Sequence, residues 1–157
     1  LEDESQLRTA FVEVTQAALE HHPEADVHGV LIQEMLDEEA VEVIVGVVQD
    51  ADFGPVVVFG SGGILVELFK DSSLRLPPLS RREARDMINE TQAARLLEGF
   101  RGKPAADVDA LVETLVRVSQ LAVDLRGDML ALDINPLMVL PRGEGVCAVD
   151  ALVEVAS

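Results

Sequence analysis

Three residues near the end of the 157-residue chain have the types and spacing to hold a metal ion. The run Leu130-Ala131-Leu132-Asp133-Ile134-Asn135-Pro136-Leu137-Met138-Val139-Leu140 is followed by Pro141-Arg142-Gly143-Glu144-Gly145, then by Val146-Cys147-Ala148-Val149-Asp150. It reads as two apolar strands joined by a short polar turn with two glycines, a hairpin. Residues two apart on a strand share a face, so Asp133 and Asn135 point the same way. Folding the turn back brings Asp150 opposite Asn135 or within one residue of it. Directly opposed positions have Cβ atoms roughly 5 Å apart. Two carboxylates and an amide oxygen gathered there are hard oxygen ligands, suited to a magnesium ion that keeps some waters and holds a substrate phosphate. The alternative is structural: Asp133 and Asn135 make turn or edge hydrogen bonds and Asp150 caps the strand.

The elements that must position this hairpin follow from periodicity. Asp3-Glu4-Ser5-Gln6 has the spacing of a helix-start box, and Leu7, Phe11, Val14 and Ala18 recur at helical spacing as an apolar stripe. Pro23 after His21-His22 ends that helix. Adjacent histidines at a helix end point apart, so His21, His22 and His28 are expected as solvated surface residues. Val27 to Leu36 and Val41 to Val48 are apolar runs rich in Val and Ile, expected as two strands with Asp37-Glu38-Glu39 as the turn. Glu34 and Glu42 interrupt them, on an exposed face or aimed at a ligand.

Phe53-Gly54-Pro55 breaks the chain before the short buried strand Val56-Val57-Val58-Phe59, and Gly60-Ser61-Gly62-Gly63 follows. Glycines there let the backbone approach a neighbour or a phosphate closely. No Lys-Ser or Lys-Thr follows and the dinucleotide glycine spacing is absent, so neither nucleotide fingerprint is met. A simple hairpin turn explains Gly62-Gly63 equally well. Pro77-Pro78 ends the β region, and Ser80-Arg81-Arg82-Glu83 is a capping box opening a helix through about Glu90. A short helical segment around Ala93 to Leu97 stops at Gly99. Arg101-Gly102-Lys103-Pro104 is a loop, solvated or an anion contact. Asp107 caps the longest helix, with Val108, Leu111, Leu115, Val118 and Ala122 as its core stripe and Gly127 as its stop.

Composition limits the partners. A length of 157 residues is one domain's worth, and 48% hydrophobic residues exclude a disordered chain despite a net charge of -17. No basic stripe exists to neutralise nucleic-acid phosphates. An anionic ligand must be held by local donors or a metal, against an unfavourable overall field. No apolar run is long enough to span a membrane and no signal peptide is seen, so a cytoplasmic protein is expected. The single cysteine, Cys147, is expected as a buried core thiol. Absence of Tyr, Trp and an initial Met suggests a piece of something longer.

Several motifs in order carry a resemblance. Glu42-Val43-Ile44-Val45-Gly46-Val47 and Asp50-Ala51-Asp52-Phe53-Gly54-Pro55-Val56-Val57 precede Phe59-Gly60-Ser61-Gly62-Gly63 and Val66-Glu67. Leu97-Glu98-Gly99-Phe100-Arg101-Gly102 and Leu132-Asp133-Ile134-Asn135-Pro136-Leu137 complete the set. Together they resemble the ATP-grasp domain of NDP-forming acyl-CoA synthetases, which include ADP-forming acetyl-CoA synthetases and, more distantly, the succinyl-CoA synthetase β subunit. The resemblance covers almost the whole chain. It implies an α+β fold, the second lobe of an ATP-grasp domain, with a mainly antiparallel sheet and helices packed on one side. Residues 1–157 would form a single domain, the C-terminal part of an ATP-grasp domain from a longer chain.

The activity implied is that of an acid-CoA ligase: acid, CoA and ATP give acyl-CoA, ADP and phosphate through an acyl phosphate and a phosphohistidine, with ATP/ADP and Mg²⁺ between two lobes. By motif match Asn135 and Asp150 would be magnesium ligands and Asp133 a nearby acidic partner. Gln33, Glu34 and Met35 would pass the adenine and ribose, and Glu42 would be a further nucleotide-site residue. Gly62 and Gly63 would lie where the transferred phosphoryl group or its histidine carrier arrives, and Glu67 and Arg101 join them in the catalytic set. Ala131 stands where many such enzymes carry Glu, though the succinyl-type enzymes lack that Glu too. The family's first lobe, with its phosphate-binding Lys, would lie upstream of Leu1; neither Lys70 nor Lys103 matches it, and no histidine here sits in a carrier motif.

The resemblance therefore implies a lobe that folds, binds nucleotide weakly and does not turn over alone. Its partners would be a nucleotide, the first lobe, and the CoA-binding domains or subunit of the parent, with no nucleic acid and no membrane. Apolar surface left by the missing lobe would favour a homo-oligomer. Two alternatives stand beside this: a regulatory ATP-grasp-like region fused to a GNAT-type acetyltransferase, and a non-catalytic interaction module. The acyl group, ADP against GDP, and the oligomeric state are not written in this sequence.

Overall fold

The structure is a computed structural model and describes residues 1–36, 39–62, 71–99, 102 and 104–156. The chain divides into two compact units, Leu1–Leu36 and Asp37–Ser157. In the first, helix α1 (Glu4–His21) begins as the sequence predicts: the Asp3 carboxylate accepts the Gln6 N–H at 2.8 Å. None of its residues is buried, and Phe11 and Val14 are 49% and 53% exposed, so the apolar stripe does not serve as a core face. Residues 27–36, expected as a strand, have no regular structure, with Leu31 79% and Met35 93% exposed. Apolar β-branched residues do not suffice for a strand; its N–H and C=O groups need a neighbour. Among the described residues no strand pairs with this segment.

The second unit contains β1 (Val41–Asp50), β2 (Gly54–Ser61), β3 (Ser72–Arg75), α2 (Arg81–Asn89), α3 (Ala93–Leu97), α4 (Val108–Asp124), β4 (Met129–Val139), β5 (Val146–Ala148) and β6 (Ala151–Val155). Every strand pairing is antiparallel, in the order β3-β2-β1-β4, with β5 and then β6 along the other side of β4. Alternation places the core. Val43, Val45 and Val47 of β1 and Val57 and Phe59 of β2 are fully buried on one face, while Glu42 and Val48 are exposed on the other. The helices cover the buried face, α2 with Ala84, Met87 and Ile88 and α4 with Leu111, Leu115 and Ala122. This is the α+β arrangement expected, with helices on one side of the sheet.

The helix boundaries follow their caps. Ser80 and Glu83 make both halves of the capping box before α2. Asp107 caps α4 and reaches further than predicted. Its carboxylate accepts the Ala110 N–H at 3.1 Å and, through its other oxygen, the N–H groups of Gly143 at 2.9 Å and Gly145 at 3.1 Å. The β4–β5 turn is thereby tied to the start of α4. Both glycines have positive φ, 92° and 87°, a region side-chain-bearing residues rarely enter. Helix α4 ends at Asp124, with Gly127 just beyond it.

Strands β3 and β6 have no counterpart in the sequence-based reading. Strand β6 pairs with β4 alone, and all five of its residues are exposed, so among the described residues it is an open edge. Cys147, expected in the core, is only half-buried because β5 is three residues long and pairs with one neighbour. Among the described residues no helix is long and apolar enough to cross a membrane.

Candidate functional site

Strand β4 carries the candidate metal residues at a break in the sheet. Against β1, Val43 pairs with Leu137 and Val45 with Ile134, so one β1 residue, Ile44, faces two on β4, Asn135 and Pro136. This is a β-bulge, a device that re-aims side chains. Pro136 has no N–H and cannot complete the ladder toward β1. The pair bonds instead to the returning chain: the Asn135 N–H donates to the Asp150 carbonyl oxygen and the Val149 N–H to the Pro136 carbonyl oxygen, both at 3.1 Å. Pairing resumes on either side, Leu137 with Ala148 and Ile134 with Ala151. Asp150 therefore lies opposite Asn135, as the hairpin reading expects.

Face assignment follows from the neighbours. Leu132 is 6% exposed and Ile134 packs against the core, so Asp133 and Asn135 point away from the helices. Ala151 pairs with Ile134, which puts Asp150 on the same outer face as Asn135. All three residues are exposed. Asp133 pairs with Gly46 on one side and Leu152 on the other, so bare backbone lies beside it on β1. Glu42 is also exposed on this outer face, paired with Met138 further along β4.

Gly62 is backed directly onto Glu42. The Gly62 N–H donates to the Glu42 carbonyl oxygen at 3.0 Å, and a Cβ on Gly62 would stand 2.6 Å from the Glu42 carbonyl carbon. No side chain fits without moving backbone. Gly62 is thus a close approach between two strands, and its position is fixed relative to Glu42. Gly63, Glu67 and Arg101 lie outside the described residues. Gln33, Glu34 and Met35 belong to the Leu1–Leu36 unit, in its irregular segment, and are exposed there.

Among the described residues no group of three or more His, Cys, Asp and Glu side chains is arranged to hold a metal. The donor set gathered on the outer face is mixed, with the amide of Asn135 between carboxylates. Such a set suits a hard cation that retains waters rather than a closed all-protein cage. Asp107 and Asp50 are carboxylates with lowered titration. Asp107 is held below the usual carboxylate range by the Ala110 N–H first; burial opposes this, and the Gly145 and Gly143 N–H groups and Arg142 add to the lowering. Asp50 is lowered by the N–H groups of Phe53 and Asp52 in the β1–β2 turn. Sequence reasoning overlooked Asp71, whose carboxylate accepts from Ser61 and from the Gln92 N–H; no motif signals such a contact across strands.

Comparison with known proteins fits this geometry. The ATP-grasp domain family matches residues 1–155, and the chain belongs to that family. It is 43% identical over 143 residues to the ADP-forming acetate–CoA ligase I of Archaeoglobus fulgidus, covering 91% of this chain and 21% of that protein. It is 41% identical to the β subunit of the ADP-forming acetate–CoA ligase II of Pyrococcus furiosus, covering 93% of this chain and 61% of that one. Among solved structures it is similar to the dinucleotide forming acetyl-coenzyme A synthetase 1 of Ca. Korarchaeum cryptofilum in complex with coenzyme A and Mg-AMPPCP, its phosphohistidine segment pointing towards the nucleotide binding site. The TM-score there is 0.81 at 35% identity, covering 99% of this chain and 66% of that one. The chain thus spans between about a fifth and two thirds of the length of these three proteins.

Proposed function

We propose that this chain is the ATP- and Mg²⁺-binding second lobe of an ATP-grasp domain in a cytoplasmic, ADP-forming acyl-CoA synthetase. The parent would convert an acid, CoA and ATP to acyl-CoA, ADP and phosphate. The observation that carries the reading is the opposition of Asn135 and Asp150 across the β4 bulge, in a chain whose relatives are ADP-forming ligases. Those relatives favour the synthetase over a regulatory fusion or a module without catalysis.

Asn135 Oδ1 and the Asp150 carboxylate would hold Mg²⁺, with Asp133 two residues along the same face. When bound, the ion would neutralise phosphate charge that this acidic chain otherwise repels. Phosphoryl transfer asks little covalent help from protein and mainly needs positioning and charge stabilisation. Gly62, lacking a side chain and backed against Glu42, would leave room for the transferred group, with Gly63, Glu67 and Arg101 near it by motif match. Gln33, Glu34 and Met35 would offer backbone groups to the base edge, and Glu42 would complete the nucleotide site. The acid, CoA and the carrier histidine would be held by other parts of the parent.

Calorimetric titration of ATP with Mg²⁺ into this chain, and into its full-length parent, tests the reading. Weak binding by the chain that requires Mg²⁺ is expected, with tighter binding by the parent. Asn135→Ala and Asp150→Ala should each remove the Mg²⁺ requirement together with most of the affinity. Unchanged binding and turnover of the parent after both substitutions would overturn the site assignment.

A further inference from the structure

We infer that Asp71 is a positioning residue that, through Ser61, holds Gly62 in place against Glu42. Strand β2 ends at Ser61 and β3 begins at Ser72, so Ser61 and Asp71 face each other at the adjoining ends of these two strands. The Ser61 N–H donates to the Asp71 carbonyl oxygen at 3.3 Å. The Ser61 hydroxyl, in a residue 1% exposed, donates to Asp71 Oδ2 in a short bond. The same Oδ2 accepts the Gln92 N–H at 2.8 Å, just before α3.

A buried hydroxyl without an acceptor is unfavourable, so Ser61 needs this carboxylate. Asp71 in turn is fixed by Gln92, which belongs to the helical layer. A continuous path therefore runs from Gln92 through Asp71 and Ser61 to Gly62 and the Glu42 carbonyl. The pairing of Ser61 with Val43 is the last in the β1–β2 ladder. Such a terminal pair frays unless something beyond the ladder holds it. Asp71 is that hold, and it makes the location of Gly62 a property of the helix layer as well as the sheet.

The functional consequence rests on the nucleotide-site reading above; the structural one does not. Both donors meet one oxygen of Asp71, so the single carbonyl oxygen of asparagine can serve both. Asp71→Asn is thus expected to keep Gly62 in place, while Asp71→Ala and Ser61→Ala loosen it. Amide hydrogen exchange at Gly62, followed in the full-length protein, should be on the order of tenfold faster in Asp71→Ala and in Ser61→Ala, and close to wild type in Asp71→Asn. In the synthetase assay Asp71→Ala should lose on the order of 100-fold in kcat, as a misplaced reacting group does, with the nucleotide KM unchanged, and Asp71→Asn should restore it. Gly62 exchange unaltered in both alanine variants, or Asp71→Asn as damaging as Asp71→Ala, would overturn the inference. A wild-type protein without synthetase activity would refute the functional reading, and exchange at Gly62 would then decide the role of Asp71 on its own.

Discussion

The main-chain N–H of Asn135 donates to the carbonyl oxygen of Asp150 at 3.1 Å, at the point where β4 carries two residues against one on β1. The contact that aligns the two is made by backbone, which leaves both side chains free for another partner. Replacing either side chain would remove a proposed ligand group without removing the bond that sets the hairpin. On the proposed reading, binding and folding are separable at this site for that reason.

Gly62 is expected to tolerate no side chain. A Cβ there would lie 2.6 Å from the Glu42 carbonyl carbon and 2.7 Å from its oxygen, both backbone atoms. Gly62→Ala should destabilise the chain by about 1–3 kcal/mol, the range of overpacking in a tight interior. Gly29 has nothing within 4 Å of such a Cβ, so Gly29→Ala is a matched control expected to change little. Urea denaturation of the two variants compares them directly.

Asp107 predicts a pH dependence. Three backbone N–H groups favour its ionised form, so its folded-state carboxyl lies below the ordinary value of 3.8. The stabilisation is therefore fully present above about pH 4 and is lost as pH falls through the lower folded value. Asp107→Ala should lower stability by about 1–2 kcal/mol at neutral pH, as loss of a helix cap does. The gap to wild type should narrow below pH 4, which denaturation curves at stepped pH will show.

The two units should respond differently to truncated apolar side chains. Leu115 is fully buried against the sheet, and Leu115→Ala should remove about 2–5 kcal/mol. Phe11 is 49% exposed on α1, and Phe11→Ala should change stability by under about 0.5 kcal/mol. A large loss at Phe11 would mean that the α1 stripe is covered in solution.

Much of the second unit was legible in the sequence because its signals are local. The capping box at Ser80 and Glu83, the cap at Asp107 and the apolar run Val41 to Val48 each need only a few neighbouring residues. The opposition of Asn135 and Asp150 was likewise legible, since a short turn fixes the register of a hairpin. Residues 27–36 misled because composition describes a strand's side chains and says nothing of its partner. Strand β3, with Ser72 and Ser73, and the Asp71 contacts escaped notice because they depend on residues far apart in the chain. The second reach of Asp107, to Gly143 and Gly145, escaped for the same reason: 36 and 38 residues separate donor and acceptor.

Strand β6 has a consequence for the behaviour of the chain in bulk. Leu152, Val153 and Val155 are 62%, 50% and 65% exposed on a strand with one side unpaired among the described residues, a surface on which another copy can add its own strand. Only Glu154 on that strand carries charge, so local gatekeeping is slight. What opposes such pairing is the colloidal repulsion of molecules that each bear a net charge of -17. Solubility here is then a property of the whole surface rather than of the edge. It should fail first where that repulsion vanishes, as the pH approaches the isoelectric point near 4.3.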